Sequence, residues 1–385
     1  MRYLKDAGAT VLVTKTTTDP NSTDDDVRSL SDGIVTLELT EQGRRISVPK
    51  HRGVGQRDGT HGLEITGDGL EVYTSLGPEA HRREFTGETV PSGIDSFDEL
   101  LGGGVERGTT TFVTGPTGIG KTTLGTQFLT EAASNGEEAL LFTFEESLDT
   151  LVHRSEAIGL PVSDLVAEGT LTIEVVEPLA LSPEEFATRI RRRVEEGEVS
   201  VVMIDGLDGY KVSIRGSEDL LTRKIHALGR YLNNVNVTTL IVDATDQVTG
   251  MREATSADVS YLADNIVFLN YLELDGELRK VAGVLKKRVG DFEHTLREFA
   301  ITEDGIQFGD RLRGVTGVID GTARLSDPTR GVTSSLLDSE ERDAAVETPV
   351  RDRRDTTETD RRDTTETDQH NVAETDPPDG PDGEQ

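Results

Sequence analysis

Residues 109–123 read Thr-Thr-Thr-Phe-Val-Thr-Gly-Pro-Thr-Gly-Ile-Gly-Lys-Thr-Thr, and few stretches of this length leave a chain so little choice of fold. The β-branched run over 109–114 predicts a short buried strand. It leads into Gly115, Pro116, Thr117, Gly118, Ile119, Gly120, Lys121 and Thr122, a fit to the pattern GxxxxGK[ST]. Behind it, Leu124, Phe128, Leu129 and Ala132 recur at helical spacing, and Gly136 is placed to end the helix. The glycines let the backbone curl with its N–H groups inward, a nest suited to a triphosphate. The new helix adds unpaired N–H groups and its positive dipole end. Lys121 can reach the β- and γ-phosphates, and the Thr122 hydroxyl can ligate Mg²⁺. Residues 115–123, Thr123 included, are therefore the expected cradle for a nucleotide, with ATP and Mg²⁺ as its ligands.

Charge narrows the partners. The 385 residues hold 72 acidic against 40 basic side chains, a net charge of −32, and only 9 of the basic residues are Lys. An acid-rich, Lys-poor chain resembles proteins of a high-salt cytosol, so a halophilic source is expected and the acidity itself says little about function. No basic stripe marks a nucleic-acid footprint. Cysteine is absent, which excludes disulfides and thiolate metal sites, and the seven His show no metal-ligand spacing. No apolar run approaches a membrane span and the N-terminus is no signal peptide, so a soluble cytoplasmic protein is expected.

The chain contains a repeat. Arg2-Tyr3-Leu4 matches Arg230-Tyr231-Leu232, and Val11-Leu12-Val13, read as a strand, matches Leu240-Ile241-Val242. Asp32-Gly33-Ile34-Val35 matches Asp264-Asn265-Ile266-Val267, and Lys50-His51-Arg52 matches Lys286-Lys287-Arg288. Ile65-Thr66-Gly67-Asp68-Gly69 matches Ile301-Thr302-Glu303-Asp304-Gly305. Residues 1–80 are accordingly expected to be the C-terminal part of a second, related domain whose front is missing. A polar linker over 81–92 leads into a complete domain over 86–312. Within it, strand-like runs alternate with helical ones, which argues for a mostly parallel sheet covered on both faces with extra strands at the end. Ser182, Pro183 and Glu185 read as cap, first turn and capping-box acid of a helix to about Glu196. Residues 325–385, with 18 acidic and 7 basic side chains and a duplicated octapeptide, predict a disordered acidic tail.

Hydrolysis of a γ-phosphate needs a held metal, a positioned water and positive charge on the transferring oxygens. Asp205 ends the apolar strand 199–204, where a carboxylate could hold Mg²⁺ together with Thr122. Glu145 and Glu146 end the strand that follows the loop's helix, where ligands of open α/β sheets sit, and one could activate the water. Lys286 and Arg288 lie one apart at a strand end, two cations that could meet the γ-phosphate.

Together, the opening 93–104, the loop, Phe144-Glu145-Glu146-Ser147, Asp205, and Lys286-Lys287-Arg288 with Leu296-Arg297-Glu298-Phe299 resemble the KaiC-like ATPases of the RecA superfamily. The resemblance implies a RecA-type P-loop fold and a homo-oligomeric ring, commonly hexameric, with ATP between subunits. Lys121, Thr122, Glu145, Glu146 and Asp205 would act in their own subunit, and Lys286 and Arg288 in trans on the neighbour's nucleotide. The clock member of that family phosphorylates its own adjacent Ser-Thr pair. Ser260-Tyr261 stands at that place, keeping only the serine. A protein partner could dock on residues 1–80 or on the tail. Two other readings share the nucleotide motifs. A DNA-dependent RecA-type ATPase, recombinase- or helicase-like, requires a cationic, aromatic groove, whereas 4% of residues are aromatic and none is Trp. A scaffold would bind ATP only to assemble.

Overall fold

A strand apolar on both sides must be covered on both sides, so the run Val201-Val202-Met203-Ile204 calls for helices above and below it. The computed structural model has that arrangement. It describes residues 6–16, 29–40, 43–76, 86–214, 218–245, 255, 260–274 and 276–325, all within one compact unit spanning 1–341.

The chain opens with an antiparallel meander of β1 (Gly33–Thr40), β2 (Gly43–His51), β3 (Thr60–Thr66) and β4 (Gly69–Tyr73), in that spatial order. Next come β5 (Thr89–Val90), α1 (Asp95–Leu100) and β6 (Val105–Glu106), β5 and β6 pairing as a short ribbon. The core then runs β7 (Thr110–Gly115), α2 (Lys121–Ser134), β8 (Glu138–Thr143), α3 (Leu148–Glu156), α4 (Val162–Glu168) and β9 (Leu171–Val175). It continues through α5 (Pro183–Glu196), β10 (Val199–Asp205), α6 (Leu207–Ile214), α7 (Glu218–Asn234) and β11 (Thr238–Ala244). A second meander closes it: β12 (Asn265–Leu274), β13 (Glu277–Lys287), β14 (Arg297–Thr302) and β15 (Gly305–Arg311), with β16 (Val315–Thr316) pairing β17 (Arg324–Leu325).

The nine-stranded sheet has the order β15-β14-β13-β12-β7-β11-β10-β8-β9. The six strands from β12 to β9 are parallel, and β13, β14 and β15 join antiparallel. Alternate side chains sort to two apolar layers. Val113, Val201, Met203, Leu240 and Val267 pack with Phe97 of α1 and with Leu124, Phe128 and Leu129 of α2. Phe112, Val202, Ile204, Ile241 and Ile266 pack on the other side with Phe186 and Ile190 of α5 and Leu228 and Leu232 of α7. The doubly covered α/β fold is thus the expected one. The Ser182 cap is also where expected, its Oγ accepting the Glu185 N–H at 3.2 Å with Pro183 opening α5.

The two meanders share their geometry. Gly33 stands opposite His51 and Ile34 opposite Lys50, as Asn265 stands opposite Lys287 and Ile266 opposite Lys286, with a register break right after each. The Arg52 N–H donates to the Asp32 carbonyl at 2.7 Å and that of Arg288 to Asp264 at 2.9 Å. Both hairpin turns carry the same hydroxyl bond, Thr66 Oγ1 to the Gly69 carbonyl and Thr302 Oγ1 to the Gly305 carbonyl, each at 3.2 Å. The repeat does not extend to a strand at Val11, Leu12 and Val13. These residues are exposed and enter no ladder among the described residues, against expectation. Their counterparts in β11 are held between β7 and β10, whereas no such pair of neighbouring strands flanks this segment among the described residues.

The first meander rests on α5. Arg45 of β2 sends two parallel hydrogen bonds, 2.5 and 2.7 Å, to the carboxylate of Glu184, which Lys224 of α7 also grips; Arg45 and Glu184 are both buried. Burial alone would raise the Glu184 carboxyl, but the bonds from Arg45 and Lys224 outweigh it and hold it below the usual carboxylate range. Gly62 of β3 lies so close to Ser182 and Glu184 that a Cβ there would sit 3.3 Å from each. Within 81–92, Val90 is buried and belongs to the β5–β6 ribbon. Residues 81–85 and the tail from 326 lie outside the described residues.

Candidate nucleotide site

Because β7 is central and parallel to its neighbours, its C-terminal end opens onto the crevice where α/β sheets bind ligands. The chain leaves β7 at Gly115, turns through 116–120 and enters α2 at Lys121. Ile119 is fully buried and pins the turn, while Thr117 and Gly118 face solvent. Gly120 caps α2 with φ +118°, and a Cβ on it would stand 2.6 Å from Ile301 Cδ1. Only glycine takes that conformation in that space. Since no side chain caps α2, its first N–H groups remain free to face an anion.

Lys121 is buried and folds back onto its own loop, Nζ donating to the Pro116 carbonyl at 3.0 Å. Burial lowers its pKa, opposed by Glu145, Asp205, Asp243 and Asp208. The next side chain, Thr122, donates from Oγ1 to Asp205 Oδ1 at 2.9 Å, and Thr143 Oγ1 lies 3.4 Å from Oδ2. Asp205 has no exposed surface, and burial pushes its carboxyl up to about 7, with Glu145 and Glu146 adding to the rise and the Thr122 hydroxyl opposing it. A hydroxyl and a carboxylate that resists ionisation until a cation arrives form a hard-oxygen donor pair that fits Mg²⁺. Thr123 points into the protein interior beside them.

Glu145 and Glu146 follow β8 but part company. Glu145 is exposed and leans over Gly206, where a Cβ would be 2.7 Å from the Glu145 Cγ; Gly206 has φ +95°. Glu146 turns aside to Arg154 of α3, Oε1 to Nη2 at 2.6 Å. Its carboxyl is raised by burial, with Arg154 opposing and Glu145 reinforcing.

Lys286 and Arg288 are not brought to this loop. Ile266, the partner of Lys286, pairs with Phe112, and Arg288 is tied through Asp264 to Thr110, five residues before Gly115. At about 3.3 Å per residue that is roughly 16 Å from the start of the loop, at the opposite end of the sheet. There Lys286 Nζ donates to the Ser260 carbonyl at 3.1 Å, and Arg288 meets Asp264 Oδ1 at 3.0 Å and the Tyr261 carbonyl at 3.4 Å. Lys287, between them, is a buried tie to Glu106 at 3.0 Å and to the Leu101 and Gly104 carbonyls.

Several residues at the site were not anticipated. Asp243 is fully buried one residue before the end of β11, level with Thr114 of β7. Its signal was available, since it follows Leu240-Ile241-Val242 as Asp205 follows Val201-Val202-Met203-Ile204. Arg154 and Gly206 carry no such signal, because their roles depend on contacts across elements.

Comparison with known proteins accords with this geometry. The sequence model of the family described as "ATPase: KaiC" matches residues 90–313. The chain is 28% identical over 305 residues to the circadian clock oscillator protein KaiC of Acaryochloris marina, covering 78% of this chain and 57% of that protein. For the protein of the same name in Rippkaea orientalis the identity is 28% over 324 residues, 81% of this chain and 62% of the relative. KaiC 1 of Synechocystis is 27% identical over 305 residues. The chain therefore spans about three fifths of the length of these relatives, 57 to 62%. Among the described residues no helix is long and apolar enough to cross a membrane.

Proposed function

Since the chain belongs to the KaiC family of P-loop ATPases of the RecA superfamily, we propose that it binds ATP with Mg²⁺ in the 115–123 loop and hydrolyses it at a site completed by a neighbouring subunit. The observation that carries the second half of this reading is the position of Lys286 and Arg288, at the far end of the sheet from the loop of their own chain. A ring that sets one subunit's loop against the next subunit's β13 end puts these cations to use. The family's ring is commonly hexameric, and nucleotide between subunits is the reading adopted here.

In its own subunit the loop binds the polyphosphate through the amides of 117–122. Lys121 exchanges the Pro116 carbonyl for phosphate oxygens, a swap favoured because burial already makes a neutral partner a poor match for its charge. Thr122 and Asp205 hold the Mg²⁺ shell. When bound, the metal would neutralise charge on the phosphate oxygens. Glu145, free and mounted over Gly206, orients and deprotonates the attacking water. Glu146 is withheld from that task by Arg154 and fixes the start of α3. In trans, Lys286 and Arg288 neutralise the transferring oxygens. To reach them, the Ser260 and Tyr261 carbonyls must be given up, which links ring closure to the segment that carries the family's phosphorylation position.

The test mixes two inactive variants, Lys121→Ala and Arg288→Ala. Trans completion restores activity on mixing, to about a quarter of the wild-type sites at equal amounts, because each functional interface needs one protomer of each kind. No recovery in rings shown to exchange subunits rejects the trans assignment. Glu145→Gln separates hydrolysis from a purely assembling role, since it stops turnover while leaving ATP-dependent assembly intact.

A further inference from the structure

Strand β13 breaks its own alternation just before the two cations. Lys286 stands opposite Ile266 but Val284 opposite Val267, so Leu285 bulges out of the ladder. Val284 belongs to the apolar layer beneath α1 and α2, and Leu285 packs against the layer on the α5–α7 side. Regular alternation from there would send Lys286 to the α1 side and Lys287 to the α7 side. The bulge reverses this. Lys287 Nζ reaches Glu106 Oε1 of β6 at 3.0 Å, the Gly104 carbonyl at 3.2 Å and the carbonyl of Leu101, just past α1. Lys286 and Arg288 turn the other way, to the carbonyls of Ser260 and Tyr261, and the Tyr261 ring lies beside His226 of α7.

The tie at Lys287 is poorly matched to a purely stabilising role. The Lys287 and Glu106 side chains are only 1 and 5% exposed. The ammonium has three acceptors for its three donors, but Glu106 Oε2 is buried with no hydrogen-bond partner among the described residues. A buried ion pair with one oxygen unmatched offsets little of its desolvation, and the best-attested use of such a pair is to fix register. We infer that Lys287 is the positioning residue of the Lys286–Arg288 pair. Bonded to Glu106, it holds β13 in the bulged register, in which both flanking cations leave the strand on the α7 side. The inference rests on the trans reading of those two cations. Without the Lys287 ammonium, Glu106 is open to Lys286, which regular alternation would point at it. Arg288, two residues on, would turn with Lys286, and the pair would be lost to the neighbouring subunit.

Kinetics and the mixing experiment test this on the full chain. Lys287→Met keeps the length and bulk of the side chain and removes its charge. The expected result is a kcat about 100-fold below wild type, the scale of a misplaced catalytic group, with KM for ATP within about twofold because the loop of the same chain is untouched. In mixed rings Lys287→Met recovers activity with Lys121→Ala and gains nothing with Arg288→Ala. A residue that merely stabilised the fold would damage loop and cations together and recover with neither. Circular dichroism checks folding. Where Lys287→Met does not fold, Glu106→Gln, which keeps the shape and one acceptor, is expected to show the same pairing behaviour. Wild-type turnover in the folded variant, recovery with Arg288→Ala, or no recovery with Lys121→Ala overturns the assignment while leaving the trans reading intact. If Lys121→Ala and Arg288→Ala fail to restore each other, both fall.

Discussion

Gly206 is the residue on which the geometry of the candidate water-activating group turns. It follows Asp205 with a positive φ, and its missing Cβ is the space that Glu145 occupies. Gly206→Ala adds both backbone strain and a clash at 2.7 Å, which moves Glu145 while leaving the loop untouched. The expected outcome is a fall in kcat of about 100-fold, the scale of misplacing a catalytic group, with ATP affinity kept. Steady-state kinetics beside equilibrium binding checks it. Asp205 makes a second prediction. Its carboxyl is raised to about 7 without a cation, and Mg²⁺ binds the ionised form. Below that value a proton competes with the metal, so Mg²⁺-dependent nucleotide affinity drops about fivefold from pH 7 to pH 6 and flattens above pH 8. In Asp205→Asn that dependence is absent. The same shift acts on folding in the opposite sense. The folded carboxyl holds its proton up to about 7 while the unfolded one loses it near 3.8, so metal-free stability falls as pH rises between those values.

At the scale of elements, the contact between β2 and α5 rests on one buried cluster. Glu184 takes two hydrogen bonds from Arg45 and one from Lys224. Arg45→Ala leaves the carboxylate with the lysine alone in a site closed to water, a cost of about 3 kcal/mol. The loss falls on the docking of β1–β4, so amide exchange rises across those strands and stays low in β7, β10 and β11. Glu184 is held below the usual carboxylate range, so its stabilisation is complete at neutral pH and is lost as pH falls through its folded value. Acid is therefore expected to release the first meander, with the loosening visible in the same exchange measurement.

At the scale of the whole molecule, the sheet separates the two halves of the proposed chemistry. The loop lies at the C-terminal end of β7, and Arg288 is level with its N-terminal end. Along the strands Arg288 lies roughly 16 Å and Lys286 roughly 10 Å from the loop, two strands to the side, so an isolated chain is expected to bring neither cation to its own nucleotide. ATPase activity per subunit should then rise with protein concentration in step with the mass of the ATP-bound oligomer. Flat activity from a monomer would be decisive against it. Screening by salt should help, since a net charge of −32 opposes assembly at low ionic strength.

Residue order alone determined the parts that are local. The loop from Gly115 to Thr122, the strand before it, the Ser182 cap and the alternation of strands with helices each lie within a few residues, and local sterics and hydrogen bonding settle such features. Even the repeat could be read this way, and the shared register of Gly33–His51 and Asn265–Lys287 shows that matching sequence produced matching pairing. What no stretch could reveal was which distant residues meet. Arg154 claims Glu146, Gly206 makes room for Glu145, Asp243 comes level with the loop strand, and Val11, Leu12 and Val13 join no strand among the described residues despite a strand-like composition. These outcomes depend on strand order and packing. A strand needs neighbours, and a carboxylate takes the cation that folding places beside it.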